Sequence, residues 1–149
     1  MISGVHHVAI STGDCERLLG FYRDLLGFEV VFEQTWPPGT SVADAITGLE
    51  GSSARQLMLR AANFYLELFE YRSPQPRPAD PRRPVCDHGI THLCLDVSDL
   101  DAEYERLVAA GMVFHCAPQD LGGGVRATYG RDPDGNVVEL QEGLEAVIS

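Results

Sequence analysis

The sequence predicts an α+β fold made of two tandem βαβββ modules, and three observations predict it. The stretch Tyr129 to Gln141, YGRDPDGNVVELQ, joins strong turn chemistry to a strand: Pro133 presets a turn dihedral, and Gly135 and Asn136 tolerate positive φ. Five prolines between Arg72 and Asp87 divide the chain, because proline at that density sustains neither helix nor sheet. Beyond that division the first half starts again: THLCLDVSD repeats HVAISTGD in kind, with His92 seven residues before Asp99 as His7 is seven before Asp14. Such duplication is the mark of a repeated structural unit.

Taken in order, Val5 to Ser11 alternates, with His6, Val8 and Ile10 on one face and Val5, His7, Ala9 and Ser11 on the other. His6 is expected to pack against the helix that follows. That helix runs from an Asp14 cap to Leu26, with Leu18, Phe21, Tyr22, Leu25 and Leu26 as its apolar stripe and Gly27 as a left-handed stop. Phe28 to Phe32 reads as a strand, after which Trp36-Pro37-Pro38-Gly39 opens an irregular insertion reaching Ser53. Strand signal returns at Arg55 to Arg60 and in FYLELFEY, where Tyr65, Glu67, Phe69 and Tyr71 share a face. In the second half, a helix over Leu100 to Ala110 buries Leu100, Tyr104, Leu107 and Val108 and stops at Gly111. Strands follow at Met112 to Cys116, Val125 to Gly130 and Asn136 to Gln141. The predicted organisation is a first module over 1–71 with its insertion at 36–53, a linker over 72–88, a second module over 89–142 and a tail over 143–149.

Composition narrows the function. The 149 residues carry 11 Lys and Arg against 22 Asp and Glu, a net charge of −11, and such an acidic surface suits neither nucleic acid nor anionic lipid. MISGVHH lacks a signal pattern and no run approaches the roughly 18 apolar residues of a membrane span, so the expected location is the cytoplasm. Cys15, Cys86, Cys94 and Cys116 are widely spaced without a CxxC, which points to reduced thiols.

The chemistry lies on the repeat. His7 is on the first strand of module one and Glu67 on its last; His92 is on the first strand of module two and Glu139 on its last. A lone strand histidine is usually a satisfied structural group, and a lone strand glutamate is usually solvated. Two imidazoles and two carboxylates at matching places are what a pseudo-two-fold divalent cation site needs, and nitrogen and oxygen donors without thiolate suit Ni, Co, Zn, Mn or Fe(II). His88 and His115 have no counterpart in the repeat and are expected to be surface or structural.

HHVAIS, FYRDLLGFEV, YLELFEY, GITHLCLDV and DPDGNVVEL together resemble the vicinal oxygen chelate superfamily, which includes glyoxalase I, methylmalonyl-CoA epimerase, extradiol dioxygenases and fosfomycin- and bleomycin-resistance proteins. The resemblance implies paired modules curling as half-barrels of mixed sheet around one divalent metal ion, and often a homodimer. It places His7, Glu67, His92 and Glu139 as first to fourth ligand, His7 being the second of the adjacent histidines. Ring-cleaving relatives usually keep a His, His, Glu triad and epimerases often place Gln near the second ligand, whereas glyoxalase I has a fourth protein ligand matching Glu67. The implied activity is therefore a glyoxalase-like isomerase, lyase or epimerase that moves a proton alpha to the carbonyl of a small oxygenated substrate. Glu139 is the first choice for base and Glu67 the second. An Fe(II) extradiol dioxygenase and a metal-free binding protein of the bleomycin-resistance kind are the alternatives. From His7 to Glu67 is 60 residues and from His92 to Glu139 is 47; the excess falls in the insertion, read as a lid that shapes the pocket. Trp36, Tyr65, Phe69 and Tyr129 are candidate walls. Arg60 and Arg126 are candidate anion holders, although exposed arginines more often form surface ion pairs. Neither a glutathione-binding set nor a basic cluster for coenzyme A is recognisable.

Overall fold

The computed structural model describes residues 1–143; most of the expected C-terminal tail lies outside the described residues. The chain forms two units, Met1–Pro78 and Ala79–Ser149. In the first, β1 (His7–Ser11), a helix α1 (Cys15–Leu19) continued by a π-helical segment (Gly20–Leu25), β2 (Glu29–Trp36), α2 (Ser41–Thr47), β3 (Ser53–Arg60) and β4 (Tyr65–Ser73) follow one another. The sheet order is β1-β4-β3-β2, with β1 parallel to β4 and the other pairs antiparallel. In the second unit come β5 (His92–Asp96), α3 (Leu100–Ala109), β6 (Val113–Phe114), β7 (Gln119–Gly122), β8 (Val125–Arg131) and β9 (Val137–Glu142). Their order is β5-β9-β8-β6, with β7 on β8, and β5 is again parallel to β9. The predicted α+β class and mixed sheets are observed, and no closed barrel forms among the described residues.

Each sheet buries its apolar face under its helix. Leu57, Leu59, Leu66 and Leu68 meet Leu18, Leu19 and Tyr22 in the first unit, and Val138 and Leu140 match Leu100 and Leu107 in the second; all are at most 2 % exposed. A fully buried leucine of this kind contributes about 1.5–3 kcal/mol through area removed from water. Both helices begin as the sequence predicts: the Asp14 carboxylate accepts from the Arg17 N–H at 3.0 Å and that of Asp99 from the Ala102 N–H at 3.1 Å. Gly27 and Gly111 adopt positive φ past the helix ends.

Several local expectations are corrected. The first helix is not α-helical to Leu26: its later part widens into a π segment, which keeps Phe21 and Tyr22 buried and leaves Leu25 and Leu26 half-buried. Val108 is 45 % exposed, so the α3 stripe narrows to Leu100 and Leu107 with Tyr104 at its margin. The insertion is not irregular throughout. Its middle is α2, closed by Gly48 at φ +69°; seven residues are too few for periodicity to announce a helix. The strand β7 escapes prediction because its four residues are all exposed and show no alternation. In the hairpin before β9 only Gly135 is left-handed, at φ +89°. Asn136 instead hydrogen-bonds Asp132, whose carboxylate gathers the N–H groups of Asp134 and Asn136 at 2.9 Å and the Asn136 side-chain amide at 2.8 Å. All four cysteines are free thiols, and no helix among the described residues is long and apolar enough to cross a membrane.

Candidate active site

The parallel strand pairs place the predicted ligands two by two. In the first unit Glu67 on β4 stands across from Ala9, two residues after His7 on β1. In the second, Glu139 on β9 stands across from Cys94, two residues after His92 on β5. Parallel neighbours in register present their side chains on the same face, so each imidazole reaches diagonally to its carboxylate. His7 Nε2 lies 3.4 Å from Glu67 Oε2, and His92 Nε2 lies 3.0 Å from Glu139 Oε2. The carboxylates are buried, 6 % and 8 % exposed, while the rings are half-exposed.

The opposite nitrogen of each ring is engaged elsewhere. His7 Nδ1 is 2.9 Å from His6 Nδ1, and His92 Nδ1 is 2.8 Å from Thr91 Oγ1. Holding Nδ1 fixes the ring and presents Nε2, the arrangement usual for a metal-ligating histidine. His6 therefore has a different place from the one expected. It is exposed and stacks on Tyr65 with ring centroids 4.9 Å apart, instead of packing against the helix, because β1 starts only at His7. Each unit thus offers one imidazole nitrogen and one buried carboxylate, half of an N2O2 donor set, and this donor chemistry suits a divalent cation. Among the described residues no three His, Cys, Asp or Glu side chains cluster to hold a metal ion.

The register also fixes the walls. On the face of Glu67, Trp36 makes edge-to-face contacts with Phe69 and Tyr71 at 6.0 and 6.1 Å, and Phe69 stacks on Tyr71 at 5.5 Å. In the second unit the Tyr129 ring lies 5.0 Å from His92 and Tyr129 pairs with Glu139 across β8 and β9. Burial, then the charge of the nearby carboxylate, raises both phenol pKa values, Glu67 acting on Tyr71 and Glu139 on Tyr129. Both phenols stay neutral donors at ordinary pH. The two arginines are occupied at the surface: Arg60 is ion-paired with Glu29, and Arg126 forks onto Asp101 at 2.8 Å and approaches Glu142.

Three side chains on this face were not singled out by the sequence. Tyr71 completes the aromatic wall. Gln56 donates to Glu67 Oε1, and Gln34 donates in turn to Gln56. Their parity matches that of Glu67 only through the antiparallel register of β2, β3 and β4, which no single-strand pattern reveals.

The insertion is latched beside this wall. The Asp44 carboxylate of α2 accepts from the N–H groups of Gly51 at 3.0 Å and Ser52 at 2.7 Å, and the Ser52 hydroxyl accepts from the Trp36 indole at 3.1 Å. The Ser52 hydroxyl first, then its N–H, holds the Asp44 pKa below the ordinary carboxylate value. A lowered carboxylate pKa stabilises the latch above the unfolded value and loses that stabilisation as the pH falls through the folded one. Asp44→Asn leaves one oxygen for two N–H groups. We expect faster amide hydrogen exchange at Gly51 or Ser52 in that variant, and acid-induced loosening of these amides in the wild type that the variant lacks. Equal protection in both proteins at neutral pH would refute the latch.

With fold and geometry defined, comparison places the chain. Residues 4–140 match the Glyoxalase/Bleomycin resistance protein/Dioxygenase superfamily, and the chain belongs to that superfamily. Among its relatives, the protein YaeR of Escherichia coli (strain K12) is 30% identical over 138 residues, covering 93% of this chain and 95% of its own. A 2-epi-5-epi-valiolone epimerase from Actinomyces sp is 34% identical over 112 residues, 70% of this chain and 57% of its own. A glyoxalase family protein from Bacillus cereus superposes with a TM-score of 0.84 at 21% identity, covering 95% of each chain. The fosfomycin resistance protein FosX of Listeria monocytogenes, in complex with Mn(II) and sulfate, does so with 0.61 at 19%, over 96% of this chain and 94% of its own. The two structures speak for the fold. The superfamily thus includes an epimerase, and FosX within this fold binds Mn(II).

Proposed function

We propose that this protein is a metal-dependent glyoxalase-like enzyme, an isomerase, lyase or epimerase that moves a proton on the carbon alpha to a carbonyl of a small oxygenated substrate. One observation carries the reading: the same His and Glu pair recurs at the same register position of the parallel strand pair in both units, each carboxylate buried and each Nε2 turned toward it. Two buried carboxylates kept only for stability would be a costly choice, since desolvating an ionised carboxylate requires a compensating partner. In this reading His7, Glu67, His92 and Glu139 hold one divalent ion, drawn from one chain or from two copies in a homodimer.

When bound, the ion supplies Lewis-acid charge for a carbonyl oxygen. The chain supplies the rest. Trp36, Phe69 and Tyr71 form an apolar wall that positions the carbon skeleton and excludes water. Glu139 takes the proton from the alpha carbon and, in an isomerase, returns it to the neighbouring carbon; in an epimerase the returning proton comes from a second donor on the opposite face. In this reading the neutral Tyr129 phenol donates to a substrate oxygen.

Protein purified without chelator should contain close to one equivalent of a divalent metal per N2O2 set by elemental analysis. It should also catalyse solvent deuterium exchange at the alpha carbon of 2-hydroxy or 2-oxo carbonyl compounds, an exchange lost on dialysis against chelator and restored by Mn(II), Ni(II) or Co(II). Absence of metal, together with no binding of added metal, would favour the binding-protein alternative. Dioxygen uptake with catechols would favour the dioxygenase.

A further inference from the structure

The two carboxylates are not equivalent, although the repeat makes their strands so. Glu67 Oε1 accepts from Gln56 and its Oε2 faces His7. An ionised carboxylate takes only donors, so Gln56 must present its NH2 to Glu67. That leaves the Gln56 carbonyl to accept the NH2 of Gln34. The direction of both amides is thereby fixed, and the chain Gln34, Gln56, Glu67 crosses three neighbouring strands on one face.

Among the described residues the second unit has no counterpart. The residue equivalent to Gln56 is the one whose β-partner lies two past the glutamate. For Gln56 that partner is Phe69; in the second unit it is Gln141, opposite Ala127. A methyl group there cannot anchor Glu139. Glu139 meets His92 at 3.0 Å and accepts a hydrogen bond from the Cys94 thiol.

We propose that Gln56, backed by Gln34, is a positioning residue that locks Glu67 as a permanent ligand, an amide tie that Ala127 cannot supply to Glu139 in the second unit. The assignment rests on the metal-dependent reading above. A tied carboxylate keeps one orientation and loses little conformational entropy on binding a cation. Glu139, held through His92 and the Cys94 thiol, lacks that amide tie.

The test uses the whole protein and Mn(II) alone, titrated by electron paramagnetic resonance and calorimetry into wild type, Gln56→Met, Gln34→Met and Glu67→Gln. Gln56→Met keeps the length of the side chain and removes its hydrogen bonds. We expect it to weaken Mn(II) binding about 10–100-fold, the range typical of an outer-shell partner. Gln34→Met should weaken it less, and Gln56→Met should add nothing to Glu67→Gln. At saturating metal, Gln56→Met should keep the wild-type pH profile of turnover, because the base is untouched. Wild-type affinity in Gln56→Met, within about twofold, would overturn the positioning role. If the wild type itself binds no divalent cation, the metal-dependent reading fails, and positioning is then decided by a double-mutant cycle in the metal-free protein. An unfolding equilibrium in which Gln56→Met and Glu67→Gln act additively overturns it. Coupling of about tenfold or more, typical of hydrogen-bonded neighbours, upholds it.

Discussion

Glu139→Gln is expected to lower turnover by about 10²–10⁴-fold, the range associated with loss of a positioned general base, while the protein still folds and still takes up Mn(II) at high concentration. Glu139 is 8 % exposed and lies 3.0 Å from His92 Nε2. Glutamine has the same shape and can occupy the same space, so packing in β9 is kept. An amide cannot accept a proton from carbon. The measurement is solvent deuterium wash-in at the alpha carbon, followed by proton NMR at saturating metal. Retention of more than a tenth of wild-type turnover by Glu139→Gln would remove Glu139 from the role of base. A large loss in Glu67→Gln with Glu139→Gln active would exchange the two acids.

The second large effect is on stability. Gly135 sits at φ +89°, and a Cβ added there would lie 2.3 Å from both the Cα and the carbonyl oxygen of Pro81. Backbone atoms cannot step aside as a flexible side chain can. Gly39 has the same φ of +89° with nothing within 4 Å of an added Cβ, so the pair separates conformational strain from collision. Gly39→Ala should cost about 1 kcal/mol, the lower end for a non-glycine residue held in a left-handed region. Gly135→Ala should cost on the order of 3 kcal/mol or more, since overpacking against a fixed neighbour adds a further 1–3 kcal/mol. Denaturation midpoints in urea for the two variants provide the check. Equal losses would mean that the segment around Pro81 is not held against the hairpin. That segment is further tied by Arg131, whose guanidinium donates to the carbonyls of Gly135 at 2.7 Å and Arg83 at 3.0 Å. Damage at Gly135 should therefore spread into β9, which carries Glu139.

Local signals read well wherever the physics is local. Asp14 and Asp99 cap their helices as their side-chain chemistry requires, Gly27 and Gly111 stop them, and the Asp132 to Asn136 turn precedes the strand that bears Glu139. The strand alternation that put Glu67 with Tyr65, Phe69 and Tyr71 on one face survives in the tertiary structure, because parity along a strand is a property of the chain itself. Misreadings came where the deciding contact is distant or the element too short. His6 turned outward onto Tyr65, α2 hid in seven residues, and the first helix relaxed into a π segment that periodicity at 3.6 residues does not describe.

What the sequence determined by itself is the repeat: one histidine and one glutamate at matching places in each half, and the strands that carry them. It could do so because residue type and spacing are inherited directly by the fold. Tertiary structure alone decided which neighbours each acid acquired. Strand register is set by pairing between segments far apart in the chain, and one residue of slip exchanges the faces of a strand. Only that pairing brought Gln56 to Glu67 and Ala127 to the equivalent position beside Glu139, and so made two similar carboxylates unlike.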